Sequence, residues 1–320
     1  MRLFLKKIIL FILLLIPVLI VLSYINHTRY KQQVAGEEAS FTCPVSVLLL
    51  GDSHAACGVD PAFFPEMLNR AASAECLYYS NWKNKYYSRR EKIQTCILSF
   101  HYFSLSKHWE EGVTGVLRDE QLQKYAHLCF LNPSGNTPET CFQSPVEYSK
   151  HILLSACHLP VSQSINQSLL SLFKKQDEHP LFGGYTPYYS TNIGNPRLCR
   201  DKLKEAIFSG QTDSSRFNLR AHISDLMLQN LEEIIKDNQQ KGVKTILLNL
   251  PCHSHFNEQI PQTLKHHIDS IAQSYKENDC TYLNLSNYPL PDSCFRDYDH
   301  LNSAGAEIIT PVIRSFVFKQ

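Results

Sequence analysis

The chain predicts an α/β fold built on a parallel sheet covered by helices on both faces. The continuous apolar run at 45–50 reads as a strand buried on both faces, and 93–100, 243–250 and 280–285 read as further strands. Between them lie segments with helical spacing, the clearest at 217–240, where Leu219, Ile223, Leu226, Met227, Leu231, Ile234 and Ile235 recur and Gly242 follows. Strands that alternate with helices pair in parallel, because each crossover returns the chain to the same edge of the sheet.

The elements follow in order. Arg2, Lys6 and Lys7 precede an uncharged, apolar stretch at 8–25 that contains Pro17. Its length is near the ~17–25 residues needed to cross a hydrocarbon core. The basic residues in front predict a cytoplasmic N-terminus, so residues 1–27 read as a single-pass transmembrane anchor and the rest as periplasmic or extracellular. A cleaved signal peptide is the competing reading. Its apolar region is usually only about 7–15 residues long, and Ser23-Tyr24-Ile25-Asn26 is a poor cleavage site. Residues 28–44 are polar and aperiodic, as a linker would be, and 45–320 suffice for one large domain.

Within that domain, 45–50 is the first strand. A helix is expected at 61–72, with Pro61 at its start and Phe64, Met67 and Leu68 on one face. Residues 75–79 read as the second strand and 93–100 as the third. The stretch 105–215 is rich in Pro, Ser, Asn and His and too long for a loop in a compact domain, so an insertion or lid is expected. Its aromatic, turn-prone segment 183–189 either lines a substrate cleft or packs the insertion onto the sheet. A fourth strand at 243–250, a helix at 258–277, a fifth strand at 280–285 and a helix at 303–316 complete the domain. Ser303 is expected to cap the last helix, and Pro311 to kink or break it.

The formal charge is +1, and removing the three basic groups of 1–27 leaves −2, so no basic field exists for nucleic acid. Eleven cysteines are present, with no CxxC pair to suggest zinc. Cys96 and Cys280 fall in strand-like runs, where cysteine behaves as a small hydrophobe. Cys129, Cys141, Cys157 and Cys199 lie in the irregular region and are better candidates for disulfides in an exported protein.

Two tetrapeptides carry the chemistry. Gly51-Asp52-Ser53-His54 follows the first strand. Asp297-Tyr298-Asp299-His300 follows the fifth, with Leu301-Asn302 and Gly305 beyond. A serine attacks a carbonyl only when a base removes its proton and a third group orients that base. Both motifs fall at the carboxyl edge of the sheet, where reactive groups of such folds collect. Asp297 is a better partner for His300 than Asp299, since adjacent residues usually point apart. His253 and His255 follow the fourth strand near the same edge, but no third metal ligand is evident. His266 and His267 lie on a polar helix and read as solvated.

With Gly51-Asp52-Ser53 after strand one and Asp297-x-x-His300 near the C-terminus, the chain resembles the SGNH (GDSL) hydrolases over 45–104 and 216–320. The resemblance implies a flavodoxin-like three-layer α/β/α sandwich. Ser53 would be the nucleophile, His300 the general base and acid, and Asp297 the group that orients His300. The anchor and the His after the serine look more like the branch that edits cell-envelope polymers, and the layout is similar to the membrane-tethered D-alanyl transfer proteins of teichoic acid assembly. The implied function is an extracytoplasmic serine esterase or O-acyltransferase on an acylated glycan or envelope polymer, working through an acyl-enzyme without metal or organic cofactor. Where such hydrolases carry an oxyanion Gly after strand two and an Asn after strand three, this chain has Tyr79-Ser80-Asn81 and Ser99-Phe100-His101-Tyr102. Oxyanion candidates are therefore Ser53, Asn81 and His101, and substrate-contact candidates are Asp52, His54 and His253. A catalytically degraded module that binds glycan or assembles an envelope complex is the alternative, and a lipid esterase is a third possibility.

Overall fold

The computed structural model describes residues 2–40, 45–88, 92–114, 125, 183–193 and 222–319. The chain divides into two compact units, one of which contains helix α1 (Arg2–Ser40). Within α1, Lys6–Ile25 is long and apolar enough to cross a membrane. The helix runs through Pro17, and the stretch read as a tether is helical as far as Ser40.

The other unit holds five parallel strands: β1 (Val47–Leu50), β2 (Met67–Asn69), β3 (Thr95–Ser99), β4 (Lys244–Asn249) and β5 (Cys280–Asn284), in the order β2-β1-β3-β4-β5. Register is continuous across the centre, where Leu49 pairs with Ile97 and Ile97 with Ile246. This is the flavodoxin-like order, and its switch point lies between β1 and β3, the place where sheets of this kind bind ligands beyond their carboxyl ends. The expected fold class holds.

Strand side chains alternate between two apolar layers, as the pleat requires. Val47, Leu49, Ile97, Ile246 and Leu248 pack with Ala55 and Val59 and with Ile309 and Ile313 of the last helix. Each large side chain so buried stabilises the fold by roughly 1.5–3 kcal/mol. Leu48, Leu50, Leu98 and Leu247 face the other way and are also fully buried. On that side α3 (Leu77–Tyr87) packs on β1, and α4 (Asp225–Gln240) packs on β4 and α3.

Several expected elements are corrected. Pro61–Phe63 is a 3-10 turn, and Met67–Asn69 is the second strand rather than part of a helix. The predicted strand at 75–79 is instead the approach to α3 and its first turn. Helix α4 begins at Asp225 behind the cap Ser224, while 217–221 lie outside the described residues. The helix expected at 258–277 is two helices, α5 (Ser254–Gln259) and α6 (Gln262–Ser274), with Pro261 between them. The last helix, here α7 (Ser303–Val317), is capped by Asn302, whose side chain accepts from the Gly305 N–H, and it continues through Pro311.

Most of the expected insertion lies outside the described residues, as do Cys129, Cys141, Cys157 and Cys199. Segment 183–193 packs on the sheet domain: Gly184 N–H donates to the Ala71 carbonyl (2.9 Å) and Thr186 N–H to that of Ala56 (2.8 Å). Tyr125 is buried against Tyr79, with the rings stacked 4.4 Å apart, and its hydroxyl donates to Glu75 (2.8 Å). Cys57, Cys76, Cys96, Cys252, Cys280 and Cys294 are free thiols.

Candidate active site

Strand β1 delivers Gly51-Asp52-Ser53-His54 to the switch point. Gly51 has φ +126°, and a Cβ there would sit 2.4 Å from the Cβ of Ser99. Only glycine lets the turn pass so close to the end of β3. Asp52 caps the short helix α2 (Ser53–Gly58), its Oδ1 accepting from the His54 N–H (3.1 Å) and from the Ser99 hydroxyl (2.9 Å). Ser53 opens the helix, where a backbone N–H has no intrahelical acceptor. Among the described residues its N–H has no hydrogen-bond partner.

Beyond β5 an antiparallel bridge between Phe295 and Leu301 closes a tight loop. Inside it, Asp297 Oδ1 accepts from the N–H groups of Asp299 (3.0 Å) and His300 (2.9 Å), a turn that Asp side chains favour. The same oxygen lies 3.0 Å from His300 Nδ1, and His300 Nε2 lies 2.9 Å from Ser53 Oγ. A proton on Nδ1, held by the carboxylate, leaves the Nε2 lone pair facing the hydroxyl. That arrangement can take the serine proton and later return one.

A second network interlocks with the first. His54 lies between two carboxylates, with Nδ1 3.0 Å from Asp52 Oδ2 and Nε2 2.9 Å from Asp299 Oδ1. Burial opposes charge on this ring, but the two carboxylates prevail and raise its pKa well above the ordinary value, so it is an imidazolium at neutral pH. Burial likewise opposes charge on Asp52 and Asp299. The His54 charge prevails at both, joined at Asp52 by His101, and holds both carboxyls well below the usual range. His101 Nε2 lies 2.7 Å from Asp52 Oδ2, and its Nδ1 accepts from the Phe103 N–H (3.2 Å), which places its proton on Nε2. The His54 ring stacks on His300 with centroids 4.9 Å apart.

Asp52, His54 and His101, or His54, Asp299 and His300, offer ligand atoms within 4.8 Å of one another. Both His54 nitrogens and His101 Nε2 already face carboxylate oxygens. A cation in either set would have to displace those hydrogen bonds.

The sequence candidates fare differently. Ser53, Asp297 and His300 come together. Asn81 does not join them: it sits buried on α3, bonded to Asn230 (2.9 Å) and Glu233 (2.8 Å), because the strand it was read to follow is a helix. His101 reaches the cluster, but its N–H is taken by Ser104 Oγ (2.9 Å) and its ring by Asp52, so neither is left for an oxyanion. Asp52 is buried with both oxygens engaged, which excludes direct substrate contact, and both His54 nitrogens are engaged too. His253 is buried behind the loop, with its N–H on the Tyr298 carbonyl (3.0 Å) and Nε2 3.1 Å from Asp292, so it braces the loop rather than facing substrate.

Ser99, Asp299 and Phe103 complete the networks: Asp299 partners His54 and not His300, and Ser99, at the carboxyl end of β3, has a role that its place in the sequence does not reveal. The true β2 is followed by Arg70-Ala71-Ala72, again without glycine, and the N–H groups of Ala71 and Ala72 go to Asn69 Oδ1 (3.0 Å) and the Gly51 carbonyl (2.8 Å). A surface hollow lined by Phe63, Glu66, Pro311, Arg314 and Phe318 shares no residue with this cluster.

The five-stranded parallel sheet has the flavodoxin-like order, with the serine after β1 and Asp-x-x-His after β5, which is the α/β fold class expected from the sequence. No protein-family profile matches the chain, and no curated protein matches it. Two solved structures are similar. One is described as an acylhydrolase from Bacteroides fragilis, at 9% identity and TM-score 0.39 over 85% of this chain and 86% of that one. The other is a GDSL-like lipase from Bacteroides thetaiotaomicron, at 10% identity and TM-score 0.37 over 85% and 87%.

Proposed function

We propose that this chain is a membrane-anchored serine esterase or O-acyltransferase acting outside the cytoplasmic membrane on an acylated glycan or envelope polymer. The observation that carries the proposal is the line from Ser53 Oγ to His300 Nε2 (2.9 Å), with Asp297 3.0 Å behind the ring. Ser53 Oγ attacks the acyl carbonyl while Nε2 takes its proton. The tetrahedral oxyanion is met by the free Ser53 N–H. The imidazolium then gives its proton to the departing alcohol, leaving an acyl-serine. Water, or a hydroxyl of an acceptor sugar, attacks that ester with His300 again as base, releasing the acyl group and restoring Ser53. The apolar stretch in α1 and the basic residues before it support an anchor with the enzyme on the outer side.

The test is labelling of the full-length chain, in detergent, with a fluorophosphonate. Labelling on Ser53 that is abolished by Ser53→Ala and strongly slowed by His300→Gln supports the enzyme. A second reading, a non-catalytic glycan-binding module, is favoured by the engaged N–H groups of Ala71, Ala72 and His101, since losing one oxyanion donor costs on the order of 10²–10³ in rate. Folded wild-type protein that binds glycan but takes no label would establish that module and end the esterase proposal.

A further inference from the structure

The loop that supplies Asp297 and His300 also carries Arg296, which the ester chemistry does not use. Its guanidinium lies flat over Tyr188, the central carbon 3.5 Å from the ring centroid. Both partners are pinned through the backbone. Arg296 N–H donates to the His300 carbonyl (2.9 Å), its carbonyl accepts from Asn192 (2.6 Å), and the Tyr188 carbonyl accepts from Ser303 (2.7 Å). The Tyr188 ring meets the His300 ring edge-on at 6.4 Å.

Charge matching on this loop leaves one group over. Asp297 pairs with His300, Asp299 with His54, and the neighbouring Asp292 with His253. The guanidinium of half-buried Arg296 makes no hydrogen bond or ion pair among the described residues. A guanidinium has five donors in a planar fork suited to two oxygens at once, and stacking one face on an aromatic ring leaves that fork free. The stack also strips water from one face, which strengthens whatever the fork binds.

We propose that Arg296, laid on Tyr188, is an oxyanion-binding subsite beside the catalytic serine, so that the substrate is an anionic O-acylated glycan. The group it takes is a carboxylate on a sugar or a phosphodiester in the backbone; both present two oxygens to the fork. The guanidinium is no farther from the His300 ring than the Arg296–Tyr188 and Tyr188–His300 separations laid end to end. The charge therefore sits on the acylated residue or on its immediate neighbour. This assignment rests on the esterase proposal, which supplies the acylated substrate.

Binding to the full-length Ser53→Ala chain in detergent tests it without turnover. The probes are a galacturonate oligomer, a neutral galactose oligomer of equal length and a glycerol-phosphate oligomer. Arg296→Gln is expected to weaken binding of at least one charged oligomer by roughly tenfold or more and to leave the neutral one unaffected, and the arm that responds identifies the source of the oxyanion. Arg296→Lys keeps the charge without the fork, and an intermediate loss is expected; unfolding midpoints confirm that both variants are folded. Equal binding of charged and neutral oligomers, or charged binding indifferent to Arg296→Gln, overturns the subsite. Fluorophosphonate labelling of wild-type Ser53 in parallel reads the esterase proposal separately, so the two can fail independently.

Discussion

Replacing His54 with glutamine removes a charge from the centre of the cluster while keeping a polar side chain of similar reach. In the native protein the imidazolium bridges Asp52 at 3.0 Å and Asp299 at 2.9 Å. Asp52 is nearly inaccessible, whereas the Asp299 side chain is 38% exposed, so most of the penalty falls on Asp52. Breaking a buried pair by removing one partner costs about 3–5 kcal/mol, and the exposure of Asp299 points to the lower end. For a domain of this size, a loss of ~3 kcal/mol lowers the unfolding midpoint by roughly 6–12 °C. The His54 pKa is raised from 6.5, so its contribution is complete below 6.5 and is lost as pH climbs through the raised native value. The carboxyls are depressed from 3.8, so theirs is complete above 3.8 and lost as pH falls through the depressed values. Wild type should exceed His54→Gln by a constant margin between about pH 4 and 6.5, and the margin should shrink in alkali. Urea unfolding of both chains across pH 4 to pH 9.5 measures it. A margin that is absent, or that grows with pH, would refute a charged His54.

Three further outcomes follow from the same geometry. Asp297→Asn leaves His300 Nδ1 facing an amide and invites the wrong tautomer; labelling of Ser53 should slow by up to about 10⁴-fold with little change in stability. Gly51→Ala would force a Cβ to within 2.4 Å of Ser99 at φ +126°, and the displaced serine should react about 10²-fold more slowly in the same assay. Lys83→Met strands buried Glu75 with, among the described residues, only the Ser80 and Tyr125 hydroxyls as partners, and urea unfolding should show a loss of about 3–5 kcal/mol, much of it regained when Glu75→Gln is added.

The central strands and the meeting of Ser53, Asp297 and His300 were legible because the signals for both are local. An apolar run followed by Gly-Asp-Ser, or Asp-x-x-His, can be read without knowing the partner. Strand β2 was not legible. It has three residues, too few to display a period, and Phe64, Met67 and Leu68 suit a helical face equally well. Helix α3 misled for the opposite reason. It begins Leu-Tyr-Tyr, which favours strand, and it buries Ser80, Asn81, Lys83 and Asn84 along with its apolar residues, so no amphipathic stripe appears. Three of those polar groups are paired, with Ser80 and Lys83 reaching Glu75 and Asn81 reaching α4, and such pairings are invisible in a single chain read residue by residue. The misplaced strand then misplaced the oxyanion search, and Asn81 was the consequence.

The second network also bears on what the missing oxyanion donors mean. A site relieved of catalysis has no physical need to bury Asp52 and then surround it with Ser99, His54 and His101. Burying an unpaired carboxylate costs several kcal/mol, and an apolar turn would be at least as stable. What the arrangement gains is position. Asp52 ties the serine turn to the end of β3 through Ser99 and His101, and His54 carries the same restraint across to Asp299, two residues from Asp297. The hydroxyl at 53 and the imidazole at 300 are thereby held by bonds from three separate segments of chain. Orientation alone supplies as much as ~7–11 kcal/mol of a barrier when reacting groups are held in line. An active site short of hydrogen-bond donors draws more of its rate from that source, and the prediction for Gly51→Ala measures the dependence directly.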